Sequence, residues 1–224
     1  MDDERPAGVA SRATMYFPPE PVDAVASDAK HRLADAVRRL IEGVVDVDAA
    51  AAGHEALEPL VDAVEAVNAR LASLPSLPSA GQRRMSSMHT AEGSLSERSP
   101  FVGRSNPVAA PLHLEADGDV VRGWAVYGQA YEGGVGDMHG GVVAAAFDDL
   151  LGCAQMVAPI AGRTGTLTVR FRSVSPIGAR IDYEGRLDRV EGRKIFCSGS
   201  AHAGGTLLAE AEAVFVAPAT RPPH

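Results

Sequence analysis

Residues 133–152 read GGVGDMHGGVVAAAFDDLLG. A glycine-loose loop runs into His139-Gly140-Gly141, a small and apolar run follows from Val142 to Phe147, and two carboxylates close it, Asp148 and Asp149. The pattern predicts the start of a buried helix. A helix start leaves backbone N–H groups without internal partners, and such groups can hold a developing oxyanion. An acid in an apolar wall can serve as a general base or as a nucleophile. Gly140 and Asp148 are eight residues apart, about 12 Å of rise on one helix. One carbonyl group cannot touch both, because catalytic contacts need about 3 Å. Either the two features are unrelated, or one chain supplies Gly140 and another Asp148. The second option implies an obligate homodimer.

Downstream of this stretch the hydrophobic period changes to two. Leu167, Val169 and Phe171 alternate with Thr166, Thr168, Arg170 and Arg172, and Ile181, Tyr183 and Leu187 with Asp182, Glu184, Arg186 and Asp188. Residues 195–201 and 207–216 are two further strand-like runs, and residues 120–127 are one upstream. Asp117-Gly118, Glu191-Gly192 and Gly204-Gly205 are hairpin signals. A strand, a helix and then four strands predict an α+β domain, an antiparallel sheet wrapped around one long central helix. The Ala-rich face of that helix suits close approach by a curved sheet. Trp124 and Tyr131 are read as packing residues.

Upstream, Val25, Ala29, Leu33, Val37, Leu40, Ile41 and Val44 have helical spacing, as do Leu57, Leu60, Val61, Val64, Val67 and Leu71, with Gly53 between the sets. This predicts an amphipathic α-helical hairpin that packs for stability. The domain reading is an N-terminal arm and hairpin over 1–73, a Ser-, Pro- and Gly-rich linker over 74–99, the sheet domain over 100–217 and a tail over 218–224. A net charge of −8 argues against general nucleic-acid or membrane-surface binding. The opening MDDERP has no apolar core of a secretory signal. No apolar run near 18 residues is evident, so no spanning helix is expected. Cys153 and Cys197 are expected to be reduced core thiols of a cytoplasmic protein. No metal site or cofactor is expected: there is no HxxxH or Cys-His cluster, no dinucleotide fingerprint and no GxSxG elbow.

The stretches NPVAAPL (106–112), YEGGVGDMHGGVVAAAFDDLLG (131–152), TGTLTVRFRSVSPI (164–177) and LDRVEGRKIFCS (187–198) resemble the hotdog-fold acyl-CoA thioesterases. The branch they resemble includes the phenylacetate-pathway thioesterases and the carboxyl-terminal modulator protein. The resemblance covers about residues 100–217 and implies a hotdog fold. It also implies hydrolysis of an acyl-CoA thioester at the interface of a homodimer, or of a homotetramer built from such dimers. It implies that Asp148, nine residues after the HGG histidine, is the catalytic acid, as general base or as nucleophile. It further implies that the Gly140 N–H polarises the thioester carbonyl, that His139 shapes the turn, and that Thr164 positions the attacking water. Arg170, Arg172, Arg193 and Lys194 match positions that hold coenzyme A, where an arginine fork binds phosphate oxygens. Cross-strand ion pairs are the competing use of these bases. Some relatives carry Asn or Gln six residues before the histidine, where this chain has Gly133. The alternative function is a catalytically silent hotdog module that binds acyl-CoA or acts as a scaffold.

Overall fold

The computed structural model describes residues 16–17, 20–77, 93–110 and 112–219. Most of the N-terminal arm, the middle of the linker (78–92) and the tail from 220 lie outside the described residues. Asp23 caps α1 (Ala24–Asp46), its side chain accepting from the Ala26 N–H at 2.9 Å and so satisfying one orphan donor of the first turn. Asp48 caps a short helical turn, Ala49–Ala52, which ends at Gly53. Gly53 sits at φ 75°, an angle glycine adopts freely, and there α2 (His54–Ala72) begins.

Both helices lie where the spacing predicts them, but their apolar stripes are only partly covered: Val37 and Ile41 of α1 are half-buried, Ile41 beside Pro107 and Ala110, and the rest of the α1 stripe stays exposed. The only buried residue of α1 is Ala34, and the side it turns to the domain also carries His31, Arg38 and Glu42. Leu33, Leu40 and Val44 stay 40%, 44% and 66% exposed. No residue of α2 is buried. The reason is visible in what α1 meets. Residues 103–109 form an irregular loop whose carbonyls lack ladder partners, and buried carbonyls require donors. Arg38 supplies them: its Nε donates to Ala109 O at 2.7 Å, and its Nη2 lies 3.1, 2.9 and 2.9 Å from Gly103 O, Arg104 O and Asn106 O. His31 pairs with Glu97 at 2.9 Å.

The sheet contains β1 (His113–Asp117), β2 (Val120–Val126), β5 (Arg163–Phe171), β6 (Arg180–Glu191), β7 (Lys194–Ala203) and β8 (Thr206–Val216). Its order is β1-β2-β6-β7-β8-β5 with every neighbouring pair antiparallel. A small hairpin, β3 (Glu132–Gly134) and β4 (Asp137–Met138), precedes the central helix α3 (Gly140–Ala154). The expected turn glycines Gly118, Gly192, Gly204 and Gly205 all have positive φ. β5 is one of the two edge strands, which matters below.

Phe147, Leu150 and Leu151 of α3 are fully buried against Val121, Ala125, Tyr127, Ile181, Ile195 and Phe215. The close approach comes as much from the sheet as from the helix. A Cβ on Gly185 would lie 2.9 Å from Leu150 Cγ, and one on Gly199 3.1 Å from Leu151 Cδ2. Trp124 faces the other way, stacked on His113 with ring centroids 4.0 Å apart and capped by Arg180. By length and composition the stretch Gly140–Val157, mean hydropathy 1.3, would suffice to cross a membrane, which the sequence reading did not anticipate. Here it is the helix that the sheet wraps.

Candidate active site

His139 is the N-cap of α3, and its Nδ1 accepts from the Gly141 N–H at 3.0 Å. The Val142 and Val143 N–H groups both reach His139 O. Among the described residues this leaves Gly140 as the amide of the first turn with no acceptor. His139 is itself fixed, its N–H donating to Tyr131 O at 2.9 Å. The histidine thus shapes the turn and points one N–H outward. Gly133 belongs to this construction. A Cβ there would lie 2.7 Å from His139 Cα, so the β3–β4 hairpin can press on the turn only with glycine at this position. No Asn or Gln fits there.

Phe171, at the end of β5, covers the same turn. A Cβ on Gly140 would be 3.3 Å from Phe171 Cζ. Gly140, Val143, Phe171, Arg172 and Val174 line a groove of about 400 Å³. Phe171 and Val174 remain 56% and 66% exposed. The sequence reading had Phe171 only as one residue of an alternating strand, and its position over Gly140 depends on tertiary packing.

Past the middle of the helix, Thr164 Oγ1 donates to Asp148 Oδ1 at 2.8 Å. These two predicted residues therefore meet, while Gly140 stays about 12 Å away along the same helix. Asp149 points elsewhere: it accepts from the Ser99 hydroxyl and the Val102 amide. Burial pushes its carboxyl up to about 6, the Ser99 bond opposing and the neighbouring Asp148 charge adding to the rise. Asp149 ties the segment before the sheet to the central helix, while Asp148 meets Thr164.

The four basic residues fall into two groups. Arg170 and Arg172 lie on the outer face of β5, paired with Glu212 and Glu210 at 2.8 Å each. Arg193 and Lys194 sit at the β6–β7 turn, where Arg193 Nε donates to Ala217 O at 2.9 Å. Lys194 is in register with Val216, and Val216 with Arg163. The second group is therefore at the Thr164 end of β5, roughly 20 Å along the strand from the first. Gly140, Phe171 and Arg172 mark one end of the molecule, and Asp148, Thr164, Arg193 and Lys194 the other. No cluster of metal-ligating side chains occurs among the described residues.

A curved antiparallel sheet closed around one helix is the hotdog fold of thioesterase-superfamily structures. A crystal structure of a thioesterase superfamily protein matches 89% of this chain and 98% of its own, with 27% identity and a TM-score of 0.73. That coverage exceeds residues 100–217, so the likeness takes in part of the helical extension. Acyl-coenzyme A thioesterase THEM4 of Xenopus laevis is 31% identical over 91 residues, 40% of this chain. The match spans 41% of that relative's length. A putative thioesterase described as a phenylacetic acid degradation-related protein, from Ralstonia eutropha, aligns with 48% of this chain and 85% of its own at 20% identity and TM-score 0.44. No family model matches the chain.

Proposed function

We propose that this chain is an acyl-CoA thioesterase that works as a homodimer, with Asp148 of one protomer and the partner's Gly140 N–H acting on one thioester carbonyl. The observation that carries the reading is the separation of one catalytic set along α3. The amide without an acceptor is at its start, and the Thr164-bonded carboxylate lies eight residues, about 12 Å, further along. An isologous contact joins unlike ends of two copies. β5, an edge strand with no neighbour on its outer side among the described residues, supplies a place for it, since an edge strand is a template for pairing. A two-fold axis near Leu167–Thr168 sets Thr164 of one strand opposite Phe171 of the other. The same operation joins Arg193 and Lys194 to the partner's Arg170 and Arg172, a basic set for the coenzyme A phosphates. The glutamate pairs on Arg170 and Arg172 are weak competitors. Both are about half exposed, and exposed pairs contribute about 0–1 kcal/mol.

In the reaction, Thr164 holds Asp148 Oδ1 and leaves Oδ2 to accept a proton from water. The water oxygen bonds to the carbonyl carbon, the oxyanion is held by the partner's Gly140 N–H, and collapse breaks the C–S bond, the proton taken up by Asp148 returning to the departing thiolate so that coenzyme A leaves as thiol. Direct attack by Oδ2, giving a mixed anhydride that water then cleaves, uses the same geometry. Label found in Asp148 after single turnover in ¹⁸O-water identifies the anhydride route with water attacking the Asp148 carboxyl carbon, because the general-base route puts all of the label in the product acid. The buried thiols Cys153 and Cys197, both pushed up to about 12 by burial, suit a cytoplasmic setting, which fractionation of the native host tests.

The deciding experiment follows thiol release over a panel of acyl-CoAs of different chain type, for the native chain and Asp148→Asn. Turnover by the native chain and a fall of about 10²–10⁴-fold in the variant are expected. No turnover on any acyl-CoA, full activity in the variant, or a fully active monomer by sedimentation would each overturn the proposal.

A further inference from the structure

The polar face of α1 ends at the catalytic turn. The domain element that α1 packs against is the 3-10 turn Gln129–Tyr131, and the chain runs from that turn directly into the β3–β4 hairpin and the HGG sequence. Glu42 Oε2 accepts from the Ala130 N–H at 3.3 Å, and a Cβ on Gly128 would lie 2.5 Å from the Glu42 carboxylate. Arg38, one helical turn earlier, gathers the carbonyls of Gly103, Arg104, Asn106 and Ala109. The loop held in this way carries Val108, whose carbonyl accepts the Tyr131 hydroxyl at 2.7 Å. Tyr131 O then takes the His139 N–H at 2.9 Å, and His139 Nδ1 takes the Gly141 N–H at 3.0 Å. Hydrogen bonds joined by short stretches of backbone therefore connect the extension to His139 and Gly141, the two neighbours of the amide that has no acceptor.

We infer that Arg38 and Glu42 are positioning residues for the Gly140 N–H, which makes the N-terminal extension part of the catalytic apparatus. The inference rests on the thioesterase reading for its kinetic consequence but not for its structural one. Neither side chain is near Asp148 or the bases, so both act through the turn. An oxyanion donor works only when held at about 3 Å from the developing charge, and a displacement of about 1 Å can lower a rate on the order of 10²-fold. Each residue acts in its own way. Glu42 contributes an acceptor, which an amide oxygen can replace. Arg38 contributes a rigid fork of donors, which a lysine ammonium can replace only in part.

The test uses the full chain with Arg38→Ala, Arg38→Lys, Glu42→Ala, Glu42→Gln and, as a control, Arg32→Ala, which removes only an exposed pair with Asp28. Two readouts are taken: steady-state acyl-CoA hydrolysis, and amide hydrogen exchange of residues 129–143 relative to β6–β8. Both alanine variants are expected to lower kcat at least tenfold with KM within twofold and to speed exchange in 129–143, leaving β6–β8 protected. Glu42→Gln restores both readouts, Arg38→Lys falls between, and Arg32→Ala matches the native chain. Folded alanine variants with native exchange in 129–143 and native kcat would overturn the inference, as would a loss confined to KM. If either alanine variant fails to fold, the Gln and Lys variants carry the test, and equal effects of Glu42→Gln and Arg38→Lys would count against it. Should the native chain hydrolyse no acyl-CoA, the proposed function falls, while the exchange comparison still decides whether α1 holds the turn.

Discussion

Replacing Asp149 by Asn should stabilise the protein at neutral pH, and the gain should vanish in acid. Burial raises this carboxyl from 3.8 to about 6, the Ser99 hydroxyl and the Val102 amide opposing the rise and Asp148 adding to it. Between these values the native chain holds a proton that the unfolded chain has released. Stability therefore falls as pH rises through that window. At about 1.4 kcal/mol per pH unit, a gap of roughly two units amounts to about 3 kcal/mol. Asparagine keeps an oxygen for Ser99 and Val102 and removes the buried charge. Urea unfolding at fixed protein concentration, at pH 4.0, 5.0, 6.0 and 7.5, measures the difference between variant and native chain. The expected gap is near zero at pH 4.0 and approaches about 3 kcal/mol at pH 7.5, or roughly 6–12 °C in melting temperature. A variant less stable than the native chain at pH 7.5, or a gap that does not change with pH, would refute the assignment of Asp149 as a desolvated anchor. Hydrolysis should survive this change, unlike Asp148→Asn.

Three further outcomes follow from the geometry. Gly133→Ala places a methyl 2.7 Å from His139 Cα and should lower kcat by at least tenfold through displacement of the turn, measured beside an unchanged far-ultraviolet dichroism spectrum. Thr164→Val removes the donor to Asp148 Oδ1 and should cost roughly tenfold or more in kcat, with Thr164→Ser near native activity; equal loss in both would count against the hydroxyl. Gly185→Ala forces a methyl against Leu150 Cγ, 2.9 Å away, and should destabilise the fold by about 1–3 kcal/mol in chemical denaturation.

The sheet and its central helix were legible because their signals are periodic. Alternation from Leu167 to Phe171, turn glycines at 118, 192 and 204–205, and helical spacing from Val25 to Leu71 each translate into an element by geometry alone. The pairing of Asp148 with Thr164 was reachable through the resemblance, and the separation of Gly140 from Asp148 through helix rise. Periodicity said nothing about how α1 docks. Its apolar stripe is the stronger signal in the sequence, yet the helix binds through Arg38 and Glu42, because the opposing surface is a loop whose carbonyls lie outside any sheet ladder. An arginine that gathers carbonyls is written in the same letter as one in solvent. Cross-strand ion pairs of Arg170 and Arg172 were expected as a competing use, but their partners, Glu212 and Glu210, were not legible, since they depend on the register of β8 against β5.

The tight contact of Gly133 with His139 also restricts the chemistry open to this fold. In the proposed mechanism, with no amide side chain possible at position 133 and the Gly141 N–H already engaged, the tetrahedral intermediate would have Gly140 as its one donor from that turn. A thiol leaves readily, its pKa being near 8.5, whereas an alkoxide or amine departs far less easily and leans harder on oxyanion support, where each missing donor costs about 10²–10³-fold. Sulfur esters should therefore be cleaved and their oxygen counterparts spared, a selectivity that comes from a crowded backbone and needs no recognising side chain.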